Sequence, residues 1–440
     1  MVENTKTVSS IIDDEYKEYA MYVIESRALP SYIDGFKPTT KKLLYAMLNH
    51  FKGKKHKVVE IGGSLSSVAN YHHGETSAMG AVITMTSEWN NNVPIFKGYG
   101  NFGSRLIQEA SAPRYIFAEL NNEFYKYFSD FDVMTKNKDG DNPEPQQYLP
   151  NIPFVLVNGI EGIAVGFACK FLPHNVKDIA KACLNVVNGD TVKQELIPTF
   201  PHFKGEVIKV DDKQYITKGI VEKTKSNQFT ISEVPIGYDR QKYFEVLDDL
   251  LTKNKISDFQ DYCNENGFQF IVKVNKEQME KITEPYSFFK LEKSITENYT
   301  AIDENGNLII FKDKDEIIRR FVEFRIGKIQ EQLNFDIDKI NREIAFLESK
   351  QKFIEVIVGG KINIKNMTRD NLVEYCKDNV MMGGCENING IITMPIYDMT
   401  IDKIDRLNND IKERKSEVEK LKNTNPNDIF IERLKNIIDD

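Results

Sequence analysis

Two segments toward the end of the chain carry apolar residues at alternating steps of four and three. In the first these are Leu333, Ile337, Ile340, Ile344 and Leu347; in the second, Ile404, Leu407, Ile411, Val418 and Leu421. Arg414 stands where one apolar residue of the second series is missing. Such spacing lines up a narrow apolar seam on a long helix. Glu, Lys, Asp and Asn fill the remaining positions, so neither helix suits a buried core. The pattern predicts that the two pair with each other, antiparallel, as a stalk over residues 313–356 and 401–440. The stretch between them (357–400), with GGKINI, MMGGCENING and TMPIYDMT, is expected to form a small helical globule at the tip.

Upstream the pattern changes. Residues 200 to 312 contain short β-type runs, EVIKV, QFTISEV, FQFIVKV and NLIIF, separated by charged helical stretches, which predicts an α+β domain over 151–312. NENG and DENG in this region end in Asn-Gly, a tight-turn signal. Residues 10–150 mix helical patterns with short glycine-rich turns; Leu43, Leu44 and Met47 share a helical face. NKDGDNPEPQQ (137–147) reads as a linker or loop. The fold class expected is therefore multidomain α+β.

Composition adds limits. With 440 residues, 41% hydrophobic and 28% charged, the chain suits a soluble protein of several domains. No apolar run approaches the ~18 to 20 residues of a membrane span, and the first twenty residues lack a signal peptide, so a cytoplasmic address without membrane contact is expected. Five scattered cysteines, with no C-x-x-C pair, argue against a disulfide framework or structural zinc. The net charge of −8 hides an asymmetry: from Lys37 to Lys57 there are seven lysines and no Asp or Glu. That segment is either a phosphate-binding face or a solvated lysine-rich helix and turn.

Some motifs mislead. GYGNFG (98–103) matches G-x-G-x-x-G, but a dinucleotide site needs a good strand before it and a helix after it, and NNNVPIFK is a poor strand. A tight turn fits better. Asp130-Phe131-Asp132 could chelate Mg²⁺ only with a third ligand, so a surface turn is the expectation. No G-x-x-x-x-G-K-[ST] phosphate loop is present, and His72-His73 has no partner at zinc-ligand spacing.

Ordered blocks carry more information. ESRALPSYIDGFKPTTKKLLYAM (25–47), YHHGET (71–76), GYGNFGSR (98–105), APRYIFAEL (112–120) and LPNIPFVLVNGIEGIAVGFACKFLPHN (149–175) follow one another. ISEVPIG, TMPIYDMT and NPNDIFIERL come later. Together they resemble the breakage-and-rejoining, A-type subunits of type IIA DNA topoisomerases. The wording is closer to the eukaryotic and T-even phage members than to bacterial gyrase, and the length resembles that of a phage-type medium subunit. The resemblance implies a winged-helix DNA-cleavage domain with an N-terminal arm, a tower domain, the stalk, and an exit-gate globule that makes the homodimer.

The resemblance also implies roles. Tyr115 matches the nucleophile that forms a transient 5′-phosphotyrosyl link to double-stranded DNA. A phenol with pKa near 10 is only about one part in a thousand ionised at neutral pH, so it needs help. Arg114 is expected to stabilise charge on the scissile phosphate, with His73 and Arg27 as further active-site matches. Lys37, Lys41 and Lys42 match positions that hold the DNA backbone, and Ile163 matches a residue that wedges between base pairs. No metal ligands are expected on this chain; Mg²⁺ ligands and the ATP site would come from a large partner subunit. The competing readings are a catalytically inactive DNA-binding or coiled-coil scaffold, and a supercoiling, gyrase-type counterpart of the same A-type class.

Overall fold

The structure is a computed structural model that describes residues 16–192, 195–280, 282–364 and 367–439. The expected N-terminal arm begins in residues 1–15, outside the described residues. The chain divides into two compact units, Met1–Arg325 with Arg433–Asp440, and Ile326–Glu432.

The first unit opens with α1 (Lys17–Val23), which runs into a wider helical turn, Ile24–Ala28. Helix α2 (Pro38–Tyr45) begins with proline in its first turn, where the missing N–H costs nothing, after Lys37 in an extended conformation. Leu43 and Leu44 on α2 and Met47 just beyond it are fully buried, as their spacing predicts. Helices α3 (Val58–Val68) and α4 (Glu75–Thr86) pack against each other beside α2. A small antiparallel sheet, ordered β1–β3–β2, accompanies them: β1 (His56–Lys57), β2 (Phe96–Tyr99) and β3 (Phe117–Leu120). So a strand does precede the GYGNFG turn. No helix follows it; Gly100 and Gly103 instead take left-handed conformations that suit glycine.

The antiparallel hairpin β4 (Ile160–Ile163) and β5 (Ala168–Phe171) leads into α5 (Val176–Val187), whose N-terminal N–H groups donate to the Asn175 side chain. The β-rich part follows. Strands β6 (Glu206–Lys209), β7 (Gln214–Lys218), β8 (Ile220–Lys225) and β9 (Gln228–Glu233) precede α6 (Arg240–Thr252), which is capped by Asp239. After it come β10 (Asp258–Asp261), β11 (Phe270–Lys273), β12 (Glu292–Thr296), β13 (Thr300–Ile302) and β14 (Leu308–Ile310). They build sheets ordered β10–β11–β9–β8 and β12–β7–β6, and a β13–β14 hairpin whose turn is DENG. One face of the four-stranded sheet and α6 enclose a core that includes Phe229, Ile231, Tyr243, Leu247, Phe270 and Phe289.

Residue 150 does not mark a break. Lys37 Nζ donates to the carbonyl of Glu161, Phe154 N donates to Ile33 O, and Ser31 bridges to Ile302. The 137–147 segment is irregular, as expected of a loop, but it is not a free linker. Its Glu144 and Gln147 are buried and it straps down the lysines of α2.

Helix α7 (Lys314–Val358) begins in the first unit and continues into the second. There Ile340 and Ile344 pack with Ile411 and Val418 of α9 (Ile401–Lys422), flanked by Ile337, Leu347 and Leu421. Arg414, the interruption in the seam, pairs with Glu343, and Lys415 pairs with Glu348. Between these helices α8 (Arg369–Asn379) and short turns form a separate core around Phe353, Leu372, Cys376 and Ile391. The seam helix ends at Lys422. Residues 426–439 form a distinct helix, α10 (Pro426–Asp439), which from Arg433 onward belongs to the first unit; this corrects the expected stalk boundary.

Candidate active site

Tyr115 sits in a tight turn immediately before β3. Its N–H donates to the carbonyl of Ala112 at 2.9 Å. The turn is fixed to the first residues of α3: Val58 N donates to Ile116 O at 3.0 Å and Val59 N to Pro113 O at 3.3 Å. Ile116 is buried, and Gly100 lets it approach, since a Cβ there would lie 2.7 Å from Ile116 Cγ2. With its neighbour anchored inward, the Tyr115 side chain points out and is 67% exposed. The Arg114 guanidinium lies 4.7 Å from the centre of its ring, a cation–π contact that keeps positive charge beside the phenol.

His73 lies in the turn between α3 and α4, its ring edge-on to buried Tyr71 at 5.3 Å. Partial burial, together with the charge of Arg27 and the neighbouring His72, holds its imidazole below the usual histidine pKa. His73 is therefore neutral at pH 7 and can donate or accept a hydrogen bond. The structure thus brings Arg114 against Tyr115, while Arg27 acts on His73 through its charge. Among the described residues no hydrogen bond or ring contact joins one pair to the other.

Ile163 ends β4 at the tip of the hairpin, opposite Ala168, and is 81% exposed. A core role is excluded. The hairpin is stiffly mounted: Lys37 Nζ donates to Glu161 O at 2.8 Å, and Gly162 packs so close that a Cβ would meet Ala28 O at 2.3 Å.

The lysines of α2 do not behave as expected. Lys41 Nζ donates to Gln146 O and lies 3.8 Å from buried Asp34. The Lys42 ammonium is buried, bonded to Ala69 O, Asn142 Oδ1 and Glu144. Both charges are spent on the 137–147 strap and the helix layer, so neither is offered to a phosphate in this structure. Lys37 is partly buried, and burial lowers its pKa against the opposing pull of Cys169 and Glu161. Two further basic groups, Lys55 just before β1 and Lys97 on β2, lie at the small sheet whose β3 follows Tyr115. Lys55 Nζ stands 3.7 Å from the Tyr99 ring centre and 5.2 Å from that of Phe117, with Lys97 at 5.5 Å from Tyr99. The lysine run at 52–57 was the signal for Lys55, whose aromatic neighbours come from β2 and β3; Lys97 lies outside that run and shares β2 with Tyr99.

Asp130 is neither a metal ligand nor a surface turn. It takes a left-handed conformation (φ 57°) and is clamped by Arg325 (2.6 Å) and Arg433 (2.6 and 2.9 Å). Burial raises its carboxyl pKa, but the two guanidinium groups outweigh this and hold it below the usual range. A second buried polar cluster centres on Lys314. Its Nζ contacts His174 Nε2 (2.7 Å), Tyr215 Oη (2.9 Å) and Glu297 Oε2 (3.0 Å). Among the described residues no group of three or more His, Cys, Asp or Glu is placed to hold a metal ion. Among the described residues the side chain against the Tyr115 ring is the Arg114 guanidinium, a poor partner for Mg²⁺, which wants oxygens. No helix among the described residues is long and apolar enough to cross a membrane.

The family model for the A subunits of DNA gyrase and topoisomerase IV matches residues 27–436. The chain is 36% identical to the DNA topoisomerase medium subunit of Enterobacteria phage T4, covering 99% of this chain and 98% of that one. It is 30% identical to the mitochondrial DNA topoisomerase 2 of Dictyostelium discoideum, over 98% of this chain but only 35% of that longer protein. The fold is similar to that of the DNA-binding, cleavage and re-ligation domain of Plasmodium falciparum topoisomerase II, with a TM-score of 0.84 and 28% identity over 97% of this chain and 63% of that one. The chain belongs to the family of DNA gyrase and topoisomerase IV A subunits.

Proposed function

We propose that this chain is the DNA-cleaving and religating subunit of a type II DNA topoisomerase, an isomerase that acts with partner subunits. The observation that carries this reading is Tyr115, exposed on an anchored turn with Arg114 against its ring. The Tyr115 oxygen attacks the scissile phosphorus and loses its proton. The bond to the 3′ oxygen breaks, and a 5′-phosphotyrosyl link forms. Resealing is the reverse attack by the 3′ hydroxyl, so the bond energy is conserved and no ATP is needed for that step. Arg114 neutralises charge building on the phosphate. His73, kept neutral, hydrogen-bonds the phosphate or phenol, with Arg27 beside it.

The β1–β3–β2 layer with α2–α4 serves as the winged-helix cleavage domain, the β-rich part as the tower, and α7 with α9 as an antiparallel stalk. Exposed Ile163 suits a wedge that unstacks a base step and bends the duplex; unstacking costs a few kcal/mol, offset by added contacts. Ile396 and Tyr397, 86% and 79% exposed in the second unit, support self-association of its globule. Two copies would then cut opposite strands and let a second duplex through. Among the described residues none is grouped to hold a metal ion, and the reading assigns the Mg²⁺ ligands, like the ATP site, to the partner.

The test is covalent trapping of DNA by the chain reconstituted with its ATPase and metal-binding partner. Wild type forms an adduct and Tyr115→Phe lowers it at least a thousandfold, about the scale of losing a nucleophile. An undiminished adduct in Tyr115→Phe removes the assignment.

A further inference from the structure

Residues 100–114, which lead into the nucleophile turn, contain no helix or strand. The loop closes on itself where Ser111 N donates to Asn101 O at 3.0 Å, and Ser104 N to Ile107 O at 2.7 Å turns its tip. Its near side is held by Ser87 Oγ and Trp89 Nε1, both donating to Phe102 O. Its far side reaches the β-rich core. Arg105 Nη2 donates to Glu233 Oε1 at 2.9 Å and to Val234 O at 3.1 Å, and its guanidinium lies between the rings of Phe203 (5.2 Å) and Phe268 (5.6 Å). Leu106 packs on that core, and Arg240 N donates to its carbonyl. Glu233 is itself fixed, accepting from Lys204 N and Val234 N. Arg105 Nε is buried with no hydrogen-bond partner among the described residues. That cost is tolerated by a group kept for where it holds the chain.

We propose that Arg105, through its ion pair with Glu233, is a positioning residue for Tyr115. It docks the loop entering the nucleophile turn onto the β-rich core and so sets where the phenol stands. Among the described residues the contacts of Arg105 are with Glu233, Val234, Phe203 and Phe268, not with Tyr115 or Arg114. Its action runs through Ser111 and Ala112 to Tyr115, and a misplacement of about 1 Å can cost on the order of 100-fold in rate. A lysine at 105 keeps the charge but loses the planar two-acceptor fork and the ring stacking.

This proposal rests on the cleavage reading above. In the reconstituted complex, Arg105→Lys and Glu233→Gln are expected to slow adduct formation about 10- to 100-fold, with DNA Kd unchanged within about twofold. The double variant should be no slower than the worse single one, since both remove one contact. Hydrogen exchange on the chain alone supplies a second readout: the Ser104, Ile107 and Ser111 amides should exchange faster in either variant. Unchanged adduct rates beside an active wild type, DNA affinity falling in step with rate, or unaltered exchange would each overturn the positioning role. A wild type that forms no adduct, or a Tyr115→Phe variant that still does, overturns the nucleophile reading itself and this proposal with it.

Discussion

Arg114 and Arg325 are the same residue type in opposite settings. Arg325 is fully buried, and with Arg433 it grips Asp130 from two sides. Arg114 is exposed, and among the described residues it rests on the ring of Tyr115. A charge buried with its partner holds chain segments together, and its loss is felt in stability. A charge left at the surface beside an exposed phenol adds little to stability and is free to meet a phosphate. The same contrast separates Lys42, enclosed by Glu144 and Asn142, from Lys55, which lies over Tyr99 beside the nucleophile turn.

Breaking the buried half should have the largest effect. Asp130→Ala leaves Arg325 buried without its counter-charge and should lower unfolding free energy by about 3–5 kcal/mol, read by denaturant titration; a loss below about 1 kcal/mol would mean that the cluster is not structural.

Next comes His174. Burial and the Lys314 charge push its pKa down to about 3. Its folded pKa lies below the unfolded value near 6.5, so the unfolded chain binds the proton first as pH falls. Stability is therefore whole above about pH 6.5 and is lost at about 1.4 kcal/mol per pH unit down to about 3. A His174→Gln variant should lack that slope, and parallel stability curves for the two would refute it.

A smaller loss, roughly 1–3 kcal/mol, is expected for Lys42→Met, which strands buried Glu144. The salt dependence of DNA binding should not change. A slope smaller by about one would show that Lys42 grips a phosphate after all.

Smallest in stability is Ile163→Ala, within about 0.5 kcal/mol for so exposed a residue. Bending of the bound duplex should nevertheless fall in a fluorescence bend assay. Unchanged bending would leave Ile163 without a role at the DNA.

How much of this was legible in the sequence follows the same division. The seam of Ile337, Ile340, Ile344 and Ile411 could be read because helical periodicity is local. Tyr115, one of nineteen tyrosines, was legible only through the ordered blocks around it. The inward turn of Lys42 was not legible, because Asn142 and Glu144 lie in a loop with no periodicity a hundred residues on. Asp130 was misread because its partners are 195 and 303 residues away. Arg105 could be seen as part of a block, but its docking on Glu233 depends on a sheet 128 residues later.

The role of Tyr115 meets its sharpest test when the covalent DNA adduct is isolated from the reconstituted complex, the DNA and the protein are digested, and the peptide that carries the nucleotide is sequenced. The expected result is a single linkage, from the Tyr115 oxygen to a 5′ phosphate, with a free 3′ hydroxyl on the other DNA end. A nucleotide on any other residue, or a 3′-phosphotyrosyl link, would contradict it.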